Sequence, residues 1–272
     1  MPKKIIALIP FLLITCKPDT KLDLKTIKDE KNIETVASSK NYIKPNAKTI
    51  IDRFLPEDGY KREKYKSTDF GYFLQHLPLK GINEKVTYFD GRSKDKPNVY
   101  NSVIDLPIGT KDLHQCADAA MRLRADYLYQ QKRYDKIAFN FVSDGKPRDF
   151  VTYAKGDYSP KNYWKYLEYI FNSANTASLK AQLKTINYQD VKIGDILIQK
   201  GNPYGHAVMV VDLITDGTIK KVLLAQSYMP AQELQILINP SNQNGSPWYE
   251  IKAGKISTPE WKFTSNDWKT WE

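Results

Sequence analysis

Cysteine and histidine are scarce in this chain, and it has no long apolar run. Two cysteines and three histidines among 272 residues exclude a disulfide-stapled scaffold. They also leave no zinc site that takes two cysteines and spares a thiol for other chemistry. The longest apolar run, residues 5–15, has eleven residues, where about 20 are needed to cross a bilayer. Together with a mean hydropathy of −0.55, that excludes a protein of several spans. No G-x-S-x-G elbow, H-E-x-x-H helix, phosphate-binding P-loop or dinucleotide G-x-G-x-x-G occurs, so the common serine, zinc and nucleotide chemistries lack their signatures. What is present is ordinary for a packed protein: 41% hydrophobic residues, 26% charged, and 18 Tyr, 10 Phe and 5 Trp to fill a core.

The N-terminus points to a compartment. Lys3 and Lys4 precede the apolar run, which ends in Leu13-Ile14-Thr15-Cys16. A short basic head and a short apolar stretch read as an export signal. The closing tetrapeptide resembles a bacterial lipobox, in which the cysteine is acylated and becomes the mature N-terminus. Residues 1–15 are then a lipoprotein signal peptide and Cys16 is the lipidation site, with two acyl chains making a stable anchor. The expected location is the cell envelope, lipid-anchored to a bacterial membrane. Export argues against nucleic acid as the partner for the formal charge of +10, and anionic lipid or cell-wall polymer fits better. Residues 17–48 hold eight Lys, five Asp or Glu and one aromatic, Tyr42. Such composition does not bury a core, so residues 16–48 are expected to be a flexible tether. Residues 49–272 are then one globular domain, expected to be monomeric.

Within that domain the periodicity gives helices over residues 67–76, 112–131, 160–174 and 177–183. Strands are expected over 86–89, 102–106, 136–142, 150–153, 195–199, 206–214, 219–227, 233–238 and 248–252. Helices first and a run of strands afterwards mean an α+β fold, an antiparallel sheet with helices to one side.

If Cys16 carries lipid, Cys116 has no partner. In DLHQCADAAMRLRADYLY, Asp112 and Gln115 have the spacing of a capping box, which puts Cys116 in the first helical turn. Free N–H groups and the helix dipole favour a thiolate there. Leu113, Cys116, Ala117, Ala120, Leu123 and Tyr127 also share one face, so a buried, inert cysteine is the competing reading. His206, in IGDILIQKGNPYGHAVMVVD, opens a nearly all-apolar strand just after Gly205. Gly205 would let a substrate backbone approach, or simply make the turn. A three-residue hairpin loop at Thr215-Asp216-Gly217 sets Gln226 opposite His206, and a two-residue Asp-Gly turn sets Ser227 there instead. Either residue would fix the imidazole tautomer, completing a set of nucleophile, base and orienter. Gln115 is a candidate to hold the substrate oxygen as well as to cap the helix.

Cysteine at a helix start, then histidine on a strand, then a polar residue on the next strand, resembles the papain-like superfamily and its NlpC-type cell-wall peptidases. HQCADAAMRLRADYLY, GDILIQKGNPYGHAVMVVD and LLAQSYMPAQ are similar to the bacterial lipoprotein family catalogued as domain of unknown function 4846. The resemblance implies a papain-like fold, Cys116 as nucleophile, His206 as base, Gln226 as orienting residue, and an amide or peptide bond of peptidoglycan as substrate. No cofactor and no metal are implied. A competing class is an envelope binding protein that keeps the scaffold without catalysis. For the enzyme, the thiol should be partly exposed, within about 4 Å of a ring nitrogen, and alkylated below pH 7. Trp248, Trp261, Trp268 and Trp271 fit a C-terminal arm packed on the domain better than a stacking surface for a ligand.

Overall fold

A computed structural model describes residues 41–271. The expected signal peptide, the expected lipidation site Cys16 and the expected tether up to residue 40 lie outside the described residues. Among the described residues no helix is long and apolar enough to cross a membrane.

The chain is α+β, built on a large antiparallel sheet. Its strands run in the order Tyr100–Val103, Gln235–Leu237, Lys220–Gln226, His206–Thr215, Ile196–Gln199, Trp268–Thr270 and Lys184–Thr185. Lys61–Arg62 and Tyr249–Glu250 pair at the far end of the central hairpin. The strand His206–Thr215 is buried along all but its last residue. Both of its faces are therefore covered, which is why HAVMVVDLI reads as a continuous apolar run rather than an alternation. The helix Cys116–Gln130 packs against this strand. Its small residues Ala117, Ala119, Ala120 and Ala125, all buried, allow the close approach.

Three local expectations are corrected. Residues 150–153 form a helix, Phe150–Ala154, not a strand, because the Asp149 carboxylate accepts the Thr152 N–H at 2.7 Å and caps a helical start. The Asp112 helix starts later, at Cys116. Asp112 does not cap it; its carboxylate accepts from Gln115 Nε2 at 3.0 Å and from Ala231 N–H at 2.6 Å. The N-cap is Gln115, as its expected capping role has it, and Asp118 at the third helical position closes a capping box by accepting the Gln115 N–H at 3.0 Å. The expected strand over residues 86–89 is reduced to isolated bridges, Thr87 with Ser93 and Tyr88 with Gln232.

The end of the expected tether also belongs to the domain. Leu55 donates to Tyr42 O at 2.8 Å, Lys44 to Arg53 O at 2.8 Å, and Leu79 to Lys48 O at 2.7 Å. Arg53 is fully buried. Its guanidinium donates to the carbonyls of Ala47 and Lys80 and to Ser102 Oγ. Residues 42–48 have few apolar side chains because backbone groups and a buried arginine, rather than a hydrophobic face, hold them.

The C-terminal arm is built in. Lys255–Ser257 and Lys262–Thr264 form a hairpin, and Trp268–Thr270 enters the sheet beside Ile196–Gln199, with Trp268 opposite Leu197. Trp248 and Trp268 are each 1% exposed.

Candidate functional site

The site is assembled where the Cys116 helix begins against the start of the His206 strand. The turn that sets up the second element is tighter in chemistry and looser in length than the sequence suggests. Asp216 Oδ1 accepts the N–H groups of Thr218 and Ile219 at 2.8 and 2.7 Å, and Gly217 takes a φ of +99°. This closes a four-residue loop with Thr215 opposite Lys220. A bulge between Val210 and Asp212 then shifts the register, so that Met209 faces Ala225. Continued in that register, His206 stands opposite Tyr228, and Gln226 is its diagonal neighbour on the same face. Both expected registers are wrong, yet the diagonal brings Gln226 to His206. The two ring systems confirm the offset, with centroids of His206 and Tyr228 4.8 Å apart.

His206 is fully buried, and one edge of its ring is firmly held. Gln226 Oε1 lies 2.8 Å from Nε2. Gln226 Nε2 donates to Glu260 Oε2 at 2.7 Å. Glu260 is flanked by the ammonium groups of Lys94 at 2.7 Å and Lys96 at 3.2 Å. Burial works against its charge, but the two lysines outweigh it and hold the carboxyl below its usual range. An ionised carboxylate only accepts, so the amide must turn its NH₂ to Glu260 and its oxygen to the imidazole. The ring therefore carries its proton on Nε2. Nδ1 is left as a buried acceptor with no hydrogen-bond partner. Trp261 and Phe263 complete the wall, with ring centroids 5.3 and 5.9 Å from that of His206. Trp261 is itself fixed by donating from Nε1 to Gln199 Oε1 at 2.9 Å. Desolvation lowers the His206 pKa to about 4 despite the favourable bond to Gln226, so the ring is neutral at physiological pH.

Cys116 lines a cleft of about 200 Å³, with Asp112, Asp118, Phe171, Tyr204 and Met229 among its other walls. The sulfur lies 4.0 Å from Gly205 O. The N–H groups of Ala207, Ala117 and Cys116 face it and favour the thiolate, but burial, followed by the charge of Asp118, pushes the thiol up to about 12. The residue is 6% exposed. A partly exposed thiolate with early alkylation is therefore not what the structure presents. The helix start is present, but desolvation outweighs its dipole. Nor is the expected sulfur–imidazole hydrogen bond made: the thiol rests against the backbone on either side of His206 while Nδ1 stays unpartnered.

The remaining candidates divide. Gln115 lines the cleft, but its amide is taken up by Asp112. Gly205 also lines it, yet a Cβ there would sit 2.2 Å from Gln199 O and 2.5 Å from Thr176 Oγ1. Glycine is required so that the loop can press onto the neighbouring strand, not so that a substrate can approach. Ser227 does not reach the imidazole. Its hydroxyl is held between the carbonyls of Gln232 at 2.6 Å and His114 at 2.9 Å, because the observed register carries it past His206. Lys94, Glu260 and Asp118 were not singled out by the sequence reading. Glu260 is 34 residues from Gln226 and 166 from Lys94, and no motif links them. Among the described residues no group of three or more His, Cys, Asp or Glu could hold a metal ion.

A family model described as Domain of unknown function (4846) matches the chain over residues 50–158 and 149–270. No curated protein and no solved structure matches it.

Proposed function

The chain belongs to the family of that description, and from the geometry of its site we propose that it is a membrane-anchored cell-envelope cysteine hydrolase or transferase acting on an amide bond, with a peptide link of peptidoglycan as the substrate class. The observation that carries this reading is the imidazole held by Gln226 and Glu260 with an unpartnered Nδ1, on a strand whose backbone at Gly205 and Ala207 meets the helix-start cysteine of the cleft. The anchor rests on the basic head, the apolar run and Cys16. The papain-like order of cysteine, histidine and third polar residue along the chain supports the same chemistry.

Both partners rest neutral, so the mechanism starts from thiol and imidazole rather than from an ion pair. As the sulfur adds to the carbonyl carbon, Nδ1 takes the thiol proton. The imidazolium so formed keeps its Nε2–H on Gln226, and the Glu260 carboxylate behind that amide stabilises the new positive charge. First-turn N–H groups of the Cys116 helix face the reacting centre and can hold the developing oxyanion. Collapse breaks the C–N bond, and Nδ1 returns the proton to the leaving amine. Water, or an acceptor amine in a transferase, then attacks the thioester with Nδ1 again as base, and the thiol is regenerated.

The burial of Cys116 favours a second reading, an envelope binding protein on the same scaffold. One experiment separates them. Full-length protein and a Cys116→Ala variant are incubated with peptidoglycan fragments of defined peptide links, and mass spectrometry follows both product and a thioester adduct on the protein. Cleavage or an adduct in the unmodified protein alone is the expected result. Retained binding with neither product nor adduct would leave the binding protein as the better account.

A further inference from the structure

Six of the chain's seven arginines are explained by their surroundings. Arg62, Arg92, Arg122 and Arg148 pair with aspartates, Arg53 donates to carbonyls and a hydroxyl, and Arg133 is exposed to water. Arg124 is half-buried, yet its guanidinium has no hydrogen bond and no ion pair among the described residues. Rings hold it instead. Its Cζ lies 5.1 Å from the ring centroid of Phe70, 5.6 Å from that of Tyr127 and 5.8 Å from that of Trp271. Rings attract the charge, but they do not satisfy five N–H donors set in a planar fork. Burial lowers the Arg124 pKa, Tyr127 opposes that effect and Arg133 adds to it, and no carboxylate acts on the group. Its nitrogens are not among the sealed, unpartnered atoms of the protein, so the unused donors reach solvent.

Those donors stand at a cleft. Arg124 and Trp271 line a space of about 120 Å³ together with Lys136, Phe139, Gln182 and Leu183. Gln182 is engaged at both ends of its amide, accepting the Asn140 N–H at 3.0 Å and donating to Ala138 O at 2.9 Å. Lys136 pairs with Asp135 at 3.5 Å, but both side chains are more than half exposed, and such a pair is worth little. The lining therefore offers two cations and no carboxylate, and its other walls are apolar or already engaged. This is not the Cys116 cleft. Arg124 stands eight residues further along the same helix, about 12 Å up its axis, and the two linings share no residue.

We propose that Arg124 and Lys136 form a site for a phosphate group. The guanidinium fork matches two phosphate oxygens, and the ammonium adds a point charge. A phosphate bears up to two negative charges and keeps further oxygens for Lys136, whereas a carboxylate spends both of its oxygens on the fork. The apolar walls thin the water around the ions and so strengthen their attraction. A cleft of this size takes one group of a few heavy atoms, not a folded peptide or a sugar chain. The site stands whether or not Cys116 is a nucleophile.

With seven arginines, each side chain can be followed separately. In the full chain labelled with ¹⁵N-arginine, Arg124→Lys and Arg133→Lys assign the two Nε–Hε signals. Inorganic phosphate then replaces chloride at constant ionic strength. The Arg124 signal should shift saturably, and that of exposed Arg133 far less. Arg124→Lys keeps a cation against the three rings but loses the fork, and should bind phosphate roughly tenfold more weakly by ³¹P line broadening. Lys136→Gln alters an exposed side chain and should weaken binding about threefold. Should Arg124→Lys fail to fold, Lys136→Gln decides, and an unchanged affinity overturns the site. Glycerophosphoglycerol, a water-soluble headgroup diester, separates two sources that both support the proposal: binding as tight as that of inorganic phosphate marks a lipid headgroup, and much weaker binding marks a free or terminal phosphate. An Arg124 signal that stays still, that moves no more than Arg133, or that responds equally to acetate overturns the proposal. So does a response seen only in Glu272→Gln, which would give the cleft to the acid that follows Trp271.

Discussion

The surroundings of His206 and those of Cys116 are finished to different degrees. On the histidine side every polar atom but one is engaged. Imidazole, amide, carboxylate and two ammonium groups form one connected series, and Tyr228, Trp261 and Phe263 pack around the ring. On the cysteine side several are not. Asp118 Oδ1 and both ring nitrogens of His114 are buried without side-chain hydrogen bonds, and the thiol meets backbone groups alone. Complete networks are rigid, and incomplete ones either store strain or wait for a ligand. In the proposed reaction the base is thus positioned in advance, while the surroundings of the proposed nucleophile are left for a substrate to complete.

That contrast can be broken most sharply at its centre. His206→Ala removes the general base and should lower turnover, or thioester formation on Cys116, by about 10²–10⁴-fold. Because the ring is enclosed, the variant's fold should be checked by circular dichroism. A rate that holds would mean Cys116 acts without a base. Next in size is the anion behind the amide. Glu260→Ala leaves the nearly buried Lys94 ammonium with Gln232 Oε1 at 2.9 Å but no counter-charge, and should cost roughly 3–5 kcal/mol in urea unfolding. Glu260→Gln should be milder in stability, yet it frees the Gln226 amide to turn over. A fall in Cys116 turnover larger than its loss of stability would show that Glu260 positions the imidazole tautomer. An unchanged rate would reduce it to a structural partner of the lysines.

The smallest effect compares the two buried histidines through pH. Burial lowers the His114 pKa to about 3, and it lowers that of His206 to about 4. Both folded values lie below the unfolded value near 6.5, so the unfolded chain binds more protons between them. The stability each neutral ring allows is fully present above about pH 6.5 and is lost as pH falls towards 4 or 3. At pH 4.5 the loss should be about 2.5 kcal/mol for each. Urea midpoints at pH 7 and 4.5 measure it. His114→Gln should flatten the pH slope at least as much as His206→Gln, since burial and then the Arg122 charge hold the His114 value the lower of the two. Equal slopes in all three proteins would mean that other groups govern acid unfolding.

Much of the central fold was legible because its signals are local. A continuous apolar run marked the strand from His206, and the helix following Gln115 was plain from its spacing. Where two local signals competed, the reading failed. Asp112 and Asp118 both stand near that helix start, and only the folded chain shows that Asp112 serves Ala231 instead. The hairpin register could not be counted from Gly217 alone, since a bulge between Val210 and Asp212, which no letter marks, alters it. Gln226 was identified although the pairing used to reach it was wrong, because side chains two residues apart share a face. Lys94 and Glu260 were beyond reach for a different reason. They meet across 166 residues, and each alone is an unremarked charge among many.

The segment that supplies Glu260, Trp261 and Phe263 comes after nearly all of the other described residues, and the strand Trp268–Thr270 then slots between Ile196–Gln199 and Lys184–Thr185. A chain emerging from its N-terminus can pair Ile196–Gln199, His206–Thr215 and Lys220–Gln226 early, since domains tend to organise as they are made. Until residues 260–270 arrive, however, Gln226 has no anion to orient it and one sheet position stands empty. Synthesis thus imposes a timetable on the site: the Cys116 helix is made well before the His206 imidazole is set against Gln226 and Glu260.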